Sequence, residues 1–158
     1  MKISDFDNKT PKLVLEEFFQ GQLEGWGVTL SRFGAFQNQF KISAEGRWDA
    51  AANTLALKEI YTFDDGHTDT LTWTIIKRDG GTYEGRETRI EGIAAGEQAG
   101  NAFRWQYSRD VPDADGQTSK LGFDDWFWLQ QPDVLVAHAS LTKLGVEIAT
   151  MNVFHRKL

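Results

Sequence analysis

The sequence predicts an all-β fold: an antiparallel up-and-down β-barrel of about eight to ten strands behind a short N-terminal helix. Three observations carry the prediction. Between residues 61 and 75 the large apolar residues Tyr61, Phe63, Leu71, Trp73 and Ile75 are all odd-numbered, with Thr62, Asp64, Thr70, Thr72 and Thr74 between them. A period of two sends the two sets to opposite faces of a strand. Asp64-Asp65-Gly66 breaks the run where a hairpin must turn, and Asp-Gly is a strong hairpin signal. The same alternation recurs along most of the chain, and no connection resembles the long helical crossover that parallel strands need. A meander of this kind loses its exposed edges most economically by closing into a barrel. A sandwich is the alternative.

The elements follow in order. Residues 1–11 read as an extended arm. Residues 12–21 hold a short helix, with Leu15, Phe18 and Phe19 on one side and Gly21 as its terminator. The first strand is expected near Trp26–Arg32, with a turn at Phe33-Gly34. The second, Phe36–Trp48, has the cleanest alternation: Phe36, Phe40, Ile42, Ala44 and Trp48 against Gln37, Gln39, Lys41, Ser43, Glu45 and Arg47. Thr54–Phe63 and His67–Lys77 come next, then a turn at Asp79-Gly80-Gly81. Residues 82–98 hold one or two shorter strands bent at Gly85, Gly92 and Gly96. Asn101–Asp110 places Phe103, Trp105 and Tyr107 on one face. After a loop at Pro112–Gly116, Thr118–Gln130, Val134–Leu144 and Val146–Lys157 complete the sheet over residues 25–157.

At 158 residues the chain is long enough for a real core and is most simply a single domain, 1–158. Aromatic residues make up 13%, including six Trp and eleven Phe, which is enough to fill or to line a barrel. There is no Cys, which removes disulfides, thiolate metal sites and a lipid-anchored cysteine from this sequence. The net charge of −6, with scattered Lys and Arg, argues against nucleic acid as a partner. No apolar run approaches a membrane span. The opening residues lack the apolar stretch of a signal peptide, so the chain as given reads as cytoplasmic. No cofactor is called for, and oligomeric state is not legible.

Several segments in this order resemble an uncharacterised bacterial family, domain of unknown function 3833, many of whose members are described as lipoproteins. They are Phe18-Phe19-Gln20-Gly21 with Gly25-Trp26-Gly27, Gly46-Arg47-Trp48, Glu59 through Gly66, Tyr83-Glu84-Gly85, Gly100-Asn101-Ala102 with Trp105 and Tyr107, Phe123-Asp124-Asp125-Trp126, and Lys143-Leu144-Gly145. The similarity covers roughly residues 15–157. Unlike the lipoprotein members, this chain shows neither a signal peptide nor a lipobox Cys at its front. The resemblance implies periplasmic or membrane-associated relatives and a lipocalin-like, calycin-type barrel, and it supplies no activity. Lipocalins themselves share the plan of a short helix, a Trp early in the first strand and an Arg near the last strand that covers it. Trp26 and Arg156 are the candidates for that pair, although the Gly-x-Trp signature is absent at Trp26.

Glu59 is the sharpest single anomaly, because it shares odd parity with Leu55, Leu57, Tyr61 and Phe63 and so should point inward. A buried carboxylate must find a partner or hold its proton. Either it anchors a ligand or works as a general acid or base, or it is a structural group paired with an interior Arg, Lys or Tyr or set at a wet barrel mouth. Asp124-Asp125-Trp126 places one Asp inward and one outward, without showing which. His138 has the parity of Val134 and Val136 and is read as inward, while His67 beside the Asp-Gly turn is read as solvated. His67, His138 and His155 fit no compact metal motif. Glu59, Tyr61, Trp73, Trp105, Asp125, Trp126 and His138 are therefore the candidate ligand-binding residues, and no metal site is expected. The first reading is lipocalin-like binding of a small hydrophobic molecule or lipid, in a cavity of several hundred cubic ångströms. The second is an enzyme using Glu59 with Asp124 or Asp125 as acid and base. The third is an interaction module with a solid core.

Overall fold

In a computed structural model describing residues 1–158, side-chain alternation of period two resolves into ten antiparallel strands. They are β1 (Gly21–Ser31), β2 (Phe36–Asp49), β3 (Thr54–Phe63), β4 (Thr68–Lys77), β5 (Thr82–Arg86), β6 (Ala94–Ala99), β7 (Ala102–Pro112), β8 (Thr118–Gln131), β9 (Val134–Lys143) and β10 (Val146–Lys157). Each pairs with its successor, and β1 also pairs with β10, so the sheet closes and leaves no free edge. This is the up-and-down barrel that the alternation predicts.

The register assigns the faces. Ala44 lies opposite Glu59, Glu59 opposite Leu71, Trp105 opposite Asp125 and Asp125 opposite Ala139. The odd-numbered residues of β3, β4, β7, β8, β9 and β10 thus look inward together with the even-numbered residues of β2.

One end of the barrel is plugged. The helix is only four residues long, α1 (Leu15–Phe18), shorter than the predicted 12–21. The chain before it is tied to the sheet, with Leu13 N–H donating to the Gly100 carbonyl at 2.9 Å. Beyond it, Gly21 (φ 90°) turns straight into β1. Leu13, Leu15, Phe18 and Phe19 are buried and pack with Leu23, Leu55, Phe103, Leu129 and Leu135 in the main apolar cluster. Polar contacts fix the plug from outside. Lys157 Nζ donates to the carbonyls of Glu17, Phe18 and Gln20 (3.0, 2.7 and 2.7 Å), satisfying groups that the end of a helix leaves bare. Glu16 accepts from Lys77 Nζ at 2.6 Å and from the Tyr83 hydroxyl at 2.7 Å.

The N-terminal arm is not extended throughout, for Ile3–Phe6 forms a 3-10 turn. It lies against the outside of the barrel, where the Phe6 ring sits 5.8 Å from Trp126 and 6.1 Å from Trp128. The other end of the barrel carries the turns at 32–35, 64–67 and 144–145 and the loops at 87–93 and 113–117.

Candidate functional site

Between plug and mouth the interior is hollow. Glu59, Tyr61, Tyr107, Phe123, Phe127, Ala137, Met151 and Val153 all belong to the inward set, yet each keeps accessible surface. In a closed barrel that surface is the wall of a chamber. The inner chamber is small, about 70 Å³, and its walls include Leu15, Phe19, Glu59, Trp73, Trp105 and Asp125. A vestibule of about 430 Å³ lies toward the mouth and shares Tyr61, Tyr107, Phe123 and Met151 with it. The several hundred cubic ångströms expected of a ligand site are found in the vestibule rather than in the inner chamber.

Aromatic rings make much of the inner wall. Trp73 meets Trp105 edge-on at 5.4 Å and Tyr107 at 5.1 Å, and Tyr107 stacks on Phe123 at 4.9 Å. Two acids interrupt this apolar surface. Glu59 Oε1 accepts the indole N–H of Trp73 at 3.1 Å. Asp125 Oδ2 accepts the Tyr107 hydroxyl at 3.1 Å, and its Oδ1 is buried with no partner. Burial is the main cause of their altered acidity: it pushes Glu59 up to about 7 and Asp125 up to about 8, against the single hydrogen bond each receives. Burial likewise raises the Tyr61 and Tyr107 phenols well above their ordinary value. It drives His155 down to about 4, which leaves a neutral imidazole whose Nδ1 has no partner.

Toward the mouth stands a buried ion cluster. Asp69 accepts two bonds from Arg109 (2.8 and 2.7 Å) and one from Arg89 (2.8 Å). Asp65, His67, Asp113 and Asp115, with Thr29, Gln37 and Asn38, complete the polar part of the vestibule. His67 is half-buried: its ring stacks on Phe63 at 4.3 Å, and Nδ1 meets Asp65 Oδ1 at 2.5 Å.

Of the predicted site residues, Glu59, Tyr61, Trp73, Trp105 and Asp125 converge on the inner chamber. Trp126 does not. It lies on the outer face of β8, covered by Phe6, stacked with Trp128 and capped by the Arg104 guanidinium at 5.1 Å. His138 borders the chamber between Ala137 and Ala139, but its ring turns outward and bonds Asn152 across the β9–β10 pair at 3.0 Å. The inward histidine is His155. Asp124 is the outward member of its pair, held by Arg104 through two bonds of 2.9 and 2.8 Å. Arg156 does cover Trp26, at 5.6 Å, but on the outer surface, where Trp26 is 37% exposed, so the pair closes no barrel floor. Sequence reasoning passed over Arg109, Asp69 and His155 as site residues. The signal was available: Arg109 continues the inward series Phe103, Trp105, Tyr107, and Asp69 precedes Leu71 and Trp73 in the same parity.

No group of three His, Asp or Glu side chains comes together as a metal site. Comparison with curated proteins finds no match. Among solved structures, a protein of unknown function from the DUF3598 family of Nostoc punctiforme superposes with a TM-score of 0.66 at 16% identity. The match covers 95% of this chain and 51% of that one, so this chain spans about half the length of that protein. An S-type phycobiliprotein lyase from Guillardia theta gives a TM-score of 0.66 at 11% identity, covering 92% of this chain and 93% of the lyase. Both are similar in fold, and fold alone carries no chemistry. The family model described as "Protein of unknown function (DUF3833)" matches residues 1–157, and the chain belongs to that family.

Proposed function

We propose that this protein binds a small, largely apolar molecule or lipid inside its barrel. The observation that carries the reading is the hollow middle of a closed ring. A fully packed core would bury Tyr61, Tyr107, Phe123 and Phe127, whereas here they present surface to an enclosed space. Ligand sites have this composition, mostly apolar walls with a few convergent polar groups. Glu59, Asp125, Tyr107 and His155 are those groups, and the vestibule supplies both the route of entry and most of the volume. A lipid chain or an aromatic compound suits the walls equally well.

A second reading is favoured by one observation. Glu59 and Asp125 face the same chamber with acidities near neutrality, the range in which a carboxyl can both hold and give up a proton. An acid–base enzyme built on this barrel would use these two residues. Asp124, tied to Arg104 outside, has no part in it.

Mass spectrometry of an organic extract from gently purified protein tests the first reading. A near-stoichiometric apolar molecule is expected. An Ala139→Phe variant, which fills the chamber from β9, should fold and come out empty. Retention of the same molecule by that variant would place it outside the barrel and sink the proposal.

A further inference from the structure

We propose that the ligand is an organic cation, a protonated amine whose charged end lies between Glu59 and Asp125 in the inner chamber while its apolar body reaches into the vestibule. This rests on the reading that the chamber takes a small molecule, and it names that molecule's class.

Neither acid has a positive partner. Asp125 is 9% exposed, takes one bond from Tyr107 and has an orphaned Oδ1. Glu59 takes one bond, from Trp73. Each acid thus has a neutral donor on one oxygen and nothing more. The charged and titratable groups around them supply no free cation. From β3 comes Tyr61 and from β7 Tyr107, both phenols. β4 contributes Asp69, and β10 contributes His155, which burial keeps neutral. Arg109 of β7 is the single interior cation, and Asp69 holds it through two bonds. Asp124, on the outer face of β8, is taken by Arg104. Arg109 favours the charge of both acids only from a distance and is itself bound to Asp69, so two carboxyls in an apolar box call for either protons or a ligand cation.

The walls and the entrance point to the same ligand. Rings of Trp73, Trp105, Tyr107 and Phe123 surround the acids, and aromatic faces attract cations, most strongly where water is excluded. In the vestibule Asp69 is matched by Arg109 and Arg89, Asp65 lies against His67, Asp113 and Asp115 add negative charge, and the chain carries a net charge of −6. Such a field raises the local concentration of cations and disfavours anionic ligands. Burial leaves Asp125 mostly and Glu59 partly protonated near neutrality, so an arriving cation displaces protons as it binds.

Calorimetry with three probes that share one body separates the possibilities: phenylbutylamine, phenylbutanol and phenylbutyrate. The amine is expected to bind at least about tenfold tighter than the alcohol, with the carboxylate weakest. Its heat should depend on the ionisation enthalpy of the buffer, because protons leave Glu59 and Asp125. The Glu59→Gln/Asp125→Asn double variant should lose both the preference and the proton release while keeping its affinity for the alcohol. Equal or tighter binding of the alcohol or the carboxylate overturns the cation and leaves the ligand-binding reading standing. Failure of all three probes to bind, with an empty organic extract, overturns both.

Discussion

The Tyr107 hydroxyl donates to Asp125 Oδ2 at 3.1 Å from the neighbouring strand, and this bond is the only one the buried acid receives. The register explains the pairing. Trp105 lies directly opposite Asp125, so Tyr107, two residues along the same face, meets it on the diagonal. On another part of the wall Trp73 meets Glu59 in the same way, on the diagonal beside the Glu59–Leu71 pair. One neutral donor per acid fixes the orientation of each carboxyl without offsetting the cost of its charge.

Stability should therefore fall as pH rises toward 8. The ordinary values of the two acids are 3.8 for Asp125 and 4.5 for Glu59, and folding raises them to about 8 and about 7. The folded state holds protons that the unfolded chain has already lost, so their contribution is complete below the ordinary values and is lost as pH rises through the folded ones. His155 acts in the opposite sense: its value falls from 6.5 to about 4, and its contribution is lost as pH falls through that range. The window from 6.5 to 8 thus isolates the acids. In urea unfolding, the wild-type midpoint should drop across this window and the double amide variant should show a flat profile. At pH 8, Asp125→Asn should be more stable than wild type by about 1–2 kcal/mol, since each tenfold change in an acidity constant is worth about 1.4 kcal/mol. An unchanged slope in the double variant would assign the pH dependence elsewhere.

The Asp69–Arg109 pair should be strongly coupled. Both side chains are buried, at 5% and 4% exposure, and the carboxylate takes a two-pronged grip from Arg109 besides its bond to Arg89. Removing one partner of a buried pair leaves an uncompensated charge, at a cost of about 3–5 kcal/mol. Asp69→Asn should reach that range, because it strands two guanidinium groups. Adding Arg109→Met should cost much less than its effect alone, and a double-mutant cycle reads the difference. Additive effects would show that the pair does not stabilise the mouth.

Phe6 should act as a lid over the outer tryptophans. Its ring covers Trp126, which is 5% exposed although it faces away from the barrel. Phe6→Ala should cost about 1–2 kcal/mol through lost apolar burial and ring contact. It should also shift Trp emission to the red as Trp126 and Trp128 meet water, while ligand binding inside the barrel stays unchanged. Emission unaltered by the substitution would mean that the arm does not cover these rings in solution.

The barrel was legible because period-two alternation leaves a simple trace, and eight of the ten strands can be read from it. β5 and β6 could be placed only roughly, because Gly85 and Gly96 put no side chain on the inner face there. Their backbones give that space to Trp105, whose ring atoms come within 2.4 and 2.7 Å of where a Cβ would stand. Parity alone also placed Glu59 correctly. It failed at Asp124-Asp125-Trp126 for a physical reason: both faces of β8 are apolar there, one covered by the core and the other by Phe6. A residue far away in sequence thus makes an outward Trp look like a wall residue. His138 misled for a different reason. Val134, Val136, His138 and Ser140 do share a face, but it is the outer one, and the small residues Ala137 and Ala139 occupy the inner face where the chamber needs room.

Gly46 should be irreplaceable where other inward glycines are not. A Cβ on Gly46 would lie 1.7 Å from the Phe19 carbonyl oxygen and 2.8 Å from its carbon. That backbone cannot retreat easily, since Lys157 grips the carbonyls of Phe18 and Gln20 on either side of it. Gly27 on β1 offers a control. Its added Cβ would meet the far end of the Phe40 ring at 2.4 Å, a flexible side chain, and the Asn152 carbonyl oxygen only at 3.0 Å. Overpacking costs typically about 1–3 kcal/mol. Gly46→Ala should reach the top of that range or exceed it and loosen the plug, which faster proteolysis at residues 13–20 would reveal. Gly27→Ala should stay near the bottom and leave the plug protected. Equal losses in the two variants would show that contact with the plug backbone is not what requires glycine at position 46.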